Sequence, residues 1–340
     1  MTARQSIDEV AAAHRQRLTD ERSQATRNMR AAYVRVQRSV ARDLAALQRR
    51  IDAARAAGEP VNVAWLDRQA RYAALLTNLT EALNALADAT ATATVTLVDG
   101  ALVAAVAHGT EWAHTLNITG GLGVLNPLAA EEIVGVTTYG PLRRLLRERA
   151  GEAVTAARDV LREAVMRGWA PSKTAAELRR VTDGAFSNAK TVARTEQLRS
   201  YREATRRAYM QNPAVARWQW SSRCLPDRTC PMCWAMHGRQ FDVTVPMGTH
   251  PNCLCAMVPV VPYVDYGPTG PERFARLTAE QQRNILGPAA YRAYAGGELQ
   301  LADLVHEHRH PEWGLVRRTG SLTAAVGAER AAQLMRPGAD

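Results

Sequence analysis

The chain has 340 residues, a formal net charge of +10 and 46% hydrophobic residues, a composition that excludes a disordered or fibrous protein. Lys173 and Lys190 are its only lysines, so arginine carries nearly all of the positive charge. The first residues are polar and lack the apolar core of a signal peptide, and the least charged stretch, 89–110, falls short of a membrane span. We therefore expect a protein that folds in the cytoplasm, where thiols stay reduced.

The first third of the chain predicts two long amphipathic helices. Apolar residues recur at steps of three or four over 29–51 and again over 65–86. The Gly-Glu-Pro sequence at 58–60 separates these two stripes, so an antiparallel helical hairpin is expected. Over 88–140 the pattern is ambiguous, because the run ATATATVTLV is compatible with a strand or with a weakly specified helix.

A helical block is predicted from residue 141 to about residue 211. Its first helix ends near Gly168, which suits the residue after a helix C-terminus. Ser172 is the expected N-cap of a short second helix that ends at Arg180, and a third helix is expected from Phe186 to Gln211.

Two segments of the chain are strongly basic. Residues 1–55 hold 12 arginines against 6 acidic residues, and residues 141–210 hold 16 basic against 8 acidic residues. Such segments suit nucleic acid or an acidic protein partner, and they equally suit solvated helix faces of an arginine-rich protein.

The cysteines form one cluster. All five fall within 32 residues; they are Cys224, Cys230, Cys233, Cys253 and Cys255. Cys230 and Cys233 form a C-x-x-C pair, and His250 stands three residues before Cys253. This spacing allows four side chains to meet around one tetrahedral ion. The preferred ligand set is Cys230, Cys233, His250 and Cys253, with Cys255 as the substitute for Cys253.

The surroundings of these ligands predict a small β-rich knuckle. Trp218 and Trp220 alternate on one expected strand, and 238–243 and 256–261 form two more. A module of this size has little core, so structural zinc is the favoured stabiliser. Disulfides formed after the protein leaves the cytoplasm, or unpaired thiols, are the alternatives.

An enzymatic role finds little support in these residues. Four thiolate-rich ligands leave no open coordination position for a catalytic zinc. The paired histidines or Asp-His that a zinc-bound nuclease of the HNH type needs are missing near the cluster, although His237 is a residue to test. A cytidine deaminase needs an H-x-E motif before its P-C-x-x-C sequence, and this chain has none.

An ordered set of motifs identifies a family resemblance. The set comprises the A-R-T-E sequence at 193–196, D-R-T-C-P-M-C at 227–233, His237-Gly238 with Phe241, H-P-N-C-L-C at 250–255 and Val258-Pro259. In order and spacing it resembles the minor head proteins named after protein F of phage Mu, over about 140–262. Two departures are Leu254, where the family usually has arginine, and His237, where aspartate is common.

This resemblance implies an α+β fold and a structural role. Expected domains are a helical arm at 1–135 for docking, a Mu F-like domain at 140–262 with its knuckle at 218–262, and a helical C-terminal extension at 263–340. The implied protein is a minor capsid protein of a tailed bacteriophage, made in the host cytoplasm and located in the virion, in the head interior or at the portal vertex. Its implied partners are the portal, capsid or scaffolding proteins and packaged DNA, and it aids head assembly, packaging or ejection. The competing hypothesis is a zinc-dependent nuclease or an injected effector.

Overall fold

The fold is α+β, as predicted, with long helices and two small antiparallel sheets. The computed structural model describes residues 3–122, 125, 130–133, 141–262, 264–310 and 314–336. The helices before the first sheet are α1 (Ala3–Ala56), α2 (Val63–Asp67), α3 (Ala70–Thr115), α4 (Pro141–Met166) and α5 (Pro171–Met210). The first sheet has the strand order β2-β1-β3, with strands β1 (Arg217–Ser221), β2 (Gln240–Asp242) and β3 (Ala256–Val260). Helix α6 (Pro231–Met236) lies between β1 and β2 in the chain.

The chain divides into two compact units. The helical unit consists of Asp20–Gly100 and Val134–Gln197, and the knuckle unit consists of Met1–Thr19, Ala101–Ile133 and Leu198–Asp340. The two units are defined by how densely their residues pack together. The three domains expected from the sequence are a different division of the chain and stay a prediction.

In the helical unit, α1 and α3 form the predicted antiparallel hairpin. Asn78 donates a hydrogen bond of 2.8 Å to Asp43, and Gly100 lies beside Glu21 at the other end of the same pair. The apolar stripes predicted from the sequence form the core between these helices and α4. Its most buried members, all at most 2% exposed, include Val36, Leu47, Leu75, Leu79 and Leu83. Each such side chain contributes about 1.5–3 kcal/mol by leaving water.

The ambiguous run at 89–98 is helical, inside α3. Thr90 and Thr94 are fully buried there, and each donates a 2.7 Å hydrogen bond to the backbone carbonyl four residues earlier. These bonds satisfy the hydroxyls without a partner from another element, so a β-branched, threonine-rich run packs as a helix. Of the rest of 88–140, residues 123–124, 126–129 and 134–140 lie outside the described residues.

Helix α3 is also long and apolar enough to cross a membrane, with a mean hydropathy of 1.6 over its most apolar window. The sequence expectation that no stretch reaches this level was therefore too strict. Half of that window is buried inside the protein. A buried core helix meets the same criterion, so this helix alone is weak evidence for a membrane.

The end of α4 agrees with the prediction, whereas the bounds of α5 do not. The backbone of Gly168 is left-handed (φ +63°), and Trp169 N–H donates to the Ala164 carbonyl at 2.9 Å, which confirms a glycine-terminated helix. Helix α5, however, runs unbroken through the predicted gap after Arg180, and Ser172 lies inside its first turn. Buried Leu178 and Ala189 hold both sides of this gap in place, which offsets the cost of about 1 kcal/mol for Gly184.

The C-terminal segment contains helices and one hairpin that the sequence did not predict. Its helices are α7 (Gly270–Ala275), α8 (Ala279–Leu286), α9 (Pro288–Ala295), a 3₁₀ helix (Leu301–Leu304), α10 (Leu322–Val326) and α11 (Ala328–Met335). Strands β4 (Val305–His310) and β5 (Gly314–Thr319) pair antiparallel between them. The expectation of a purely helical extension was therefore incomplete. The strand sequence V-H-E-H-R-H has no alternating apolar residues, and so it lacks the usual signal of a half-buried strand.

Candidate metal centre

The knuckle is built on the three strands that the sequence predicted. Trp218 pairs with Phe241 of β2 on one side and with Pro259 of β3 on the other. Trp218 and Trp220 are fully buried, as their alternation suggested, and the Trp218 and Phe241 rings stack 4.7 Å apart. These aromatic rings form the packed core of the small sheet. The chain segments that carry the candidate ligands follow β1 and precede β3.

The two ligands of the C-x-x-C pair are placed by the start of α6. Cys230 is the N-cap residue with an extended backbone, and Pro231 fixes the first helical position. Cys233 follows in the first turn and is buried. One helical turn brings side chains that are three positions apart to the same side of the helix. The sulfurs of Cys230 and Cys233 are therefore directed towards the same site.

His250 is oriented by its own turn. Its Nδ1 lies 2.7 Å from the Pro251 carbonyl oxygen, and since a carbonyl only accepts, Nδ1 carries the proton. Nε2 is thereby left to face the cysteines, the arrangement that a metal-binding histidine needs. Asn252 adopts a left-handed backbone (φ 64°) and Cys253 N–H donates to the His250 carbonyl at 3.3 Å, so the turn brings Cys253 back beside the ring.

Three of the separations between these atoms match those of a tetrahedral site. The His250 Nε2 lies 3.4 Å from Cys230 Sγ and 3.5 Å from Cys233 Sγ, and the sulfurs of Cys233 and Cys253 are 3.8 Å apart. A zinc ion with Zn–S of about 2.3 Å and Zn–N of about 2.0 Å requires about 3.8 Å between two sulfurs and about 3.5 Å between sulfur and nitrogen. The ligand atoms of Cys230, Cys233 and His250 lie within 4.8 Å of one another and could hold one metal ion, and Cys253, which is close to Cys233, would have to move towards the other two to complete four-coordination.

Cys255 lies close enough to serve as an alternative ligand. Its sulfur falls within 4.8 Å of those of Cys233 and Cys253, so these three form a second, overlapping group. The structure brings together all five residues predicted as metal ligands, and it leaves the choice between Cys253 and Cys255 to experiment. No disulfide joins any of the five cysteines, which all fall in the described part of the chain.

The electrostatics of the cluster favour thiolates at Cys230 and Cys253, whereas hydrogen bonds with these two cysteines raise the pKa of Cys233. A hydrogen bond with Cys233 lowers the pKa of Cys255, but its hydrogen bond with Cys253 and burial outweigh this and raise the pKa well above its ordinary value. A hydrogen bond from Cys233 lowers the pKa of Cys230 to about 4, and hydrogen bonds from Cys233 and Cys255 lower the pKa of Cys253 well below its ordinary value. Burial lowers the pKa of His250, but its hydrogen bonds with Cys230 and Cys253 outweigh burial and raise the pKa to about 10. Thiolate is the form that binds metals. A divalent cation that binds to this cluster would displace the protons held by the cysteines and by His250, and its own positive charge would stabilise the thiolates in their place.

Arg202 of α5 fixes the backbone of the second ligand pair. Its buried guanidinium donates to the carbonyls of Cys253 (2.8 Å) and Cys255 (3.0 and 2.9 Å) and to the Thr249 hydroxyl (2.8 Å). Sequence reasoning missed this residue, because an arginine inside a long helix carries no spacing signal that relates it to a strand fifty residues later. Leu254, between the two cysteines, packs against the apolar cluster that includes Tyr201, which explains an apolar residue at this position.

His237 does not have the surroundings of a catalytic residue. It is 3% exposed at the C-terminus of α6, and its Nδ1 accepts a 3.1 Å hydrogen bond from the Ser222 backbone N–H. A general base must reach solvent or substrate with a free nitrogen lone pair. Here the lone pair of Nδ1 is already used to join α6 to the end of β1, so the geometry favours a structural role.

A second group of buried histidines in the knuckle unit was not predicted. The rings of His14 and His108 stack 3.5 Å apart, and Glu111 lies 2.8 Å from His14 Nε2. Arg17 donates to both Glu111 and His108, while the Tyr201 hydroxyl lies 2.8 Å from His108 Nδ1. Burial lowers the pKa of His14 to about 4 and that of His108 to about 3, so both rings are neutral at neutral pH.

The arrangement defines a class of module: a long helix whose buried arginine supports a closed Cys/His centre on a small sheet. The family described as Phage Mu protein F like protein matches residues 155–258, from the middle of α4 to β3. The match over residues 155–258 thus supports the resemblance to the Mu F-like family that the motifs indicated. No curated protein and no solved structure shows significant similarity to this chain.

Proposed function

We propose that the protein is a minor head protein of a tailed bacteriophage, in which the Mu F-like segment acts as a structural module. One observation carries this proposal: the family match over 155–258 covers the same residues that fold into α5, the three-stranded sheet and the Cys/His centre. The C-x-x-C pair and the H-P-N-C-L-C segment are parts of the knuckle unit, and the A-R-T-E sequence precedes them in α5.

The metal of this centre is zinc, bound by Cys230, Cys233, His250 and Cys253. A thiolate-rich set with tetrahedral spacing suits zinc, and hard cations such as Mg²⁺ prefer oxygen ligands. Four protein ligands, with Cys233 and Cys253 buried, leave no coordination position for substrate. The ion stabilises the knuckle and performs no chemistry, which argues against a zinc-dependent nuclease.

The other parts of the chain supply contacts to the particle. The helical arm at 1–135 docks to the portal or to surrounding capsid or scaffolding proteins, and 263–340 extends the Mu F-like domain. Arginines at the start of α4 support a contact with packaged DNA: Arg143, Arg144 and Arg147 line an open surface depression of about 540 Å³. Arg143 and Arg147, however, share Asp88 as an ion-pair partner, and Arg144 pairs with Glu148, which also lines the depression. These carboxylates weaken the attraction of the arginines for phosphate.

The test is quantitative mass spectrometry of purified procapsids and virions, with this chain counted relative to the portal subunit. The proposal expects a few copies per particle in both. Particles assembled with the Cys230→Ser chain should contain less of it, because an unstable knuckle is degraded. Particles that lack the chain entirely would contradict the proposal and favour an effector, and cleavage assays on DNA would then follow.

A further inference from the structure

The hairpin of β4 and β5 carries a row of histidines that the Mu F-like module does not use. His306, His308 and His310 alternate along β4, and alternate residues of a strand share one face. None of the three belongs to the Cys/His centre. The hairpin lies outside 155–258, the part of the chain that matches the family.

We propose that His306 and His308 form a second metal site, which binds one first-row transition-metal ion through two imidazole nitrogens and completes its coordination with water, while His310 lies further along the same face of the strand. The His306 and His308 rings lie 5.7 Å apart, centroid to centroid, and are tilted by 23°. Two imidazoles on one metal, each with a metal–nitrogen distance of about 2.0–2.1 Å, place their centroids about 4.5–5.5 Å apart. A small rotation of the two exposed or half-exposed rings therefore closes the chelate.

The opposite strand leaves room for an ion. In the antiparallel register, His310 faces Gly314, which has no side chain, and His308 faces Val316, which offers no competing donor. Within the described residues, no group forms a hydrogen bond with the buried Nδ1 of His308. A buried ring nitrogen without a partner is costly, and coordination would remove this cost.

The type of donor atom on this face selects the class of ion. Glu307 points to the other face, where it pairs with buried Arg317, so the described hairpin offers no carboxylate beside the histidines. Arg318, opposite His306, adds a positive charge, which repels all divalent cations alike and leaves the choice of ion to the donor atoms. Mg²⁺ and Ca²⁺ require oxygen ligands and are disfavoured here, whereas imidazole suits Ni²⁺, Cu²⁺ and Zn²⁺. Water in the remaining positions leaves the ion open to a donor from a partner.

The test uses the full chain with its Cys/His centre loaded with zinc, and Ni²⁺ as the probe in calorimetric titrations. The double variant His306→Ala/His308→Ala should bind Ni²⁺ at least about tenfold more weakly. The matched control is His114→Ala, which removes an exposed histidine of α3 and should leave Ni²⁺ affinity unchanged. Equal affinity of the double variant and the unaltered chain, or an equal loss in the His114→Ala chain, would overturn the proposal.

A second measurement avoids substitutions altogether, in case the double variant fails to fold. In histidine-selective NMR spectra of the unaltered chain, sub-stoichiometric Ni²⁺ should broaden the His306 and His308 ring signals before those of His114. Simultaneous broadening of all three would show unspecific binding and would contradict a site on β4.

Discussion

Replacement of Arg202 by methionine tests whether α5 holds the second ligand pair in place. Methionine keeps most of the buried side-chain volume but removes every donor to the carbonyls of Cys253 and Cys255. Each buried carbonyl left without a donor costs about 1–3 kcal/mol, so the free energy of unfolding should fall by about 2–6 kcal/mol. The ligand backbone also loses its support, and we expect zinc affinity to fall by about 10–100-fold.

The assay is urea unfolding of the zinc-loaded chain, followed by the fluorescence of buried Trp218 and Trp220, together with competition for zinc by a chromophoric chelator. The matched control is Arg180→Met in the same helix. Arg180 is exposed and pairs with Glu177 at 2.8 Å, so its loss should cost less than about 1 kcal/mol. If Arg202→Met and Arg180→Met have the same unfolding free energy and zinc affinity, the guanidinium does not support the site and the reasoning is wrong.

Three further predictions concern the cysteines and the buried histidines. Cys230→Ser should lower zinc content and unfolding free energy together, as measured by elemental analysis and urea unfolding, because the ion stabilises the fold. Cys253→Ser should lose zinc while Cys255→Ser retains it; the reverse result would assign Cys255 as the fourth ligand. In the folded chain, His14 and His108 have pKa values below the ordinary 6.5. As the pH falls below 6.5, the unfolded chain therefore binds protons at these histidines before the folded chain does. The stability that is present above pH 6.5 is then lost as the pH falls towards about 4. Their double replacement by glutamine should reduce this loss by about 3 kcal/mol for each ring replaced at pH 4, as measured by unfolding at each pH.

The control for the histidine prediction is His114→Gln, which removes an exposed ring and should leave the pH dependence of stability unchanged. A double variant whose stability falls with pH as steeply as that of the unaltered chain would show that other groups cause acid unfolding. Zinc is kept saturating in each titration, so that loss of the ion does not add to the measured slope.

Local patterns were sufficient to predict most helices and to single out five residues that the structure brings together. The spacing of the cysteines and His250 indicated their proximity, and the apolar stripes of α1 and α3 indicated the pairing of these helices; the choice of metal ligands stays a prediction. Leu178 and Ala189 are buried in core clusters on either side of Gly184 and keep α5 continuous, and no local pattern contains that information. The same applies to the stack of His14 and His108, whose partners lie more than ninety residues apart in sequence.

The C-terminal hairpin escaped prediction for a different reason. Strand β4 is polar on both faces, and its histidines, Glu307 and Arg309 gave no period of two in hydrophobicity. Its pairing depends on tertiary contacts instead: Arg317 of β5 lies over the rings of Phe241 (5.2 Å) and Trp220 (6.0 Å) in the knuckle. A cation held over aromatic faces stabilises a strand that its own sequence does not specify.

The most direct test of the central claim is X-ray absorption spectroscopy at the zinc edge, combined with elemental analysis of the purified chain. The account predicts one zinc per chain, with three sulfurs at about 2.3 Å and one nitrogen at about 2.0 Å. Four sulfurs would replace His250 by Cys255 in the ligand set. A chain that folds with no bound metal, or with its thiols joined as disulfides, would contradict a Cys/His metal centre in this protein.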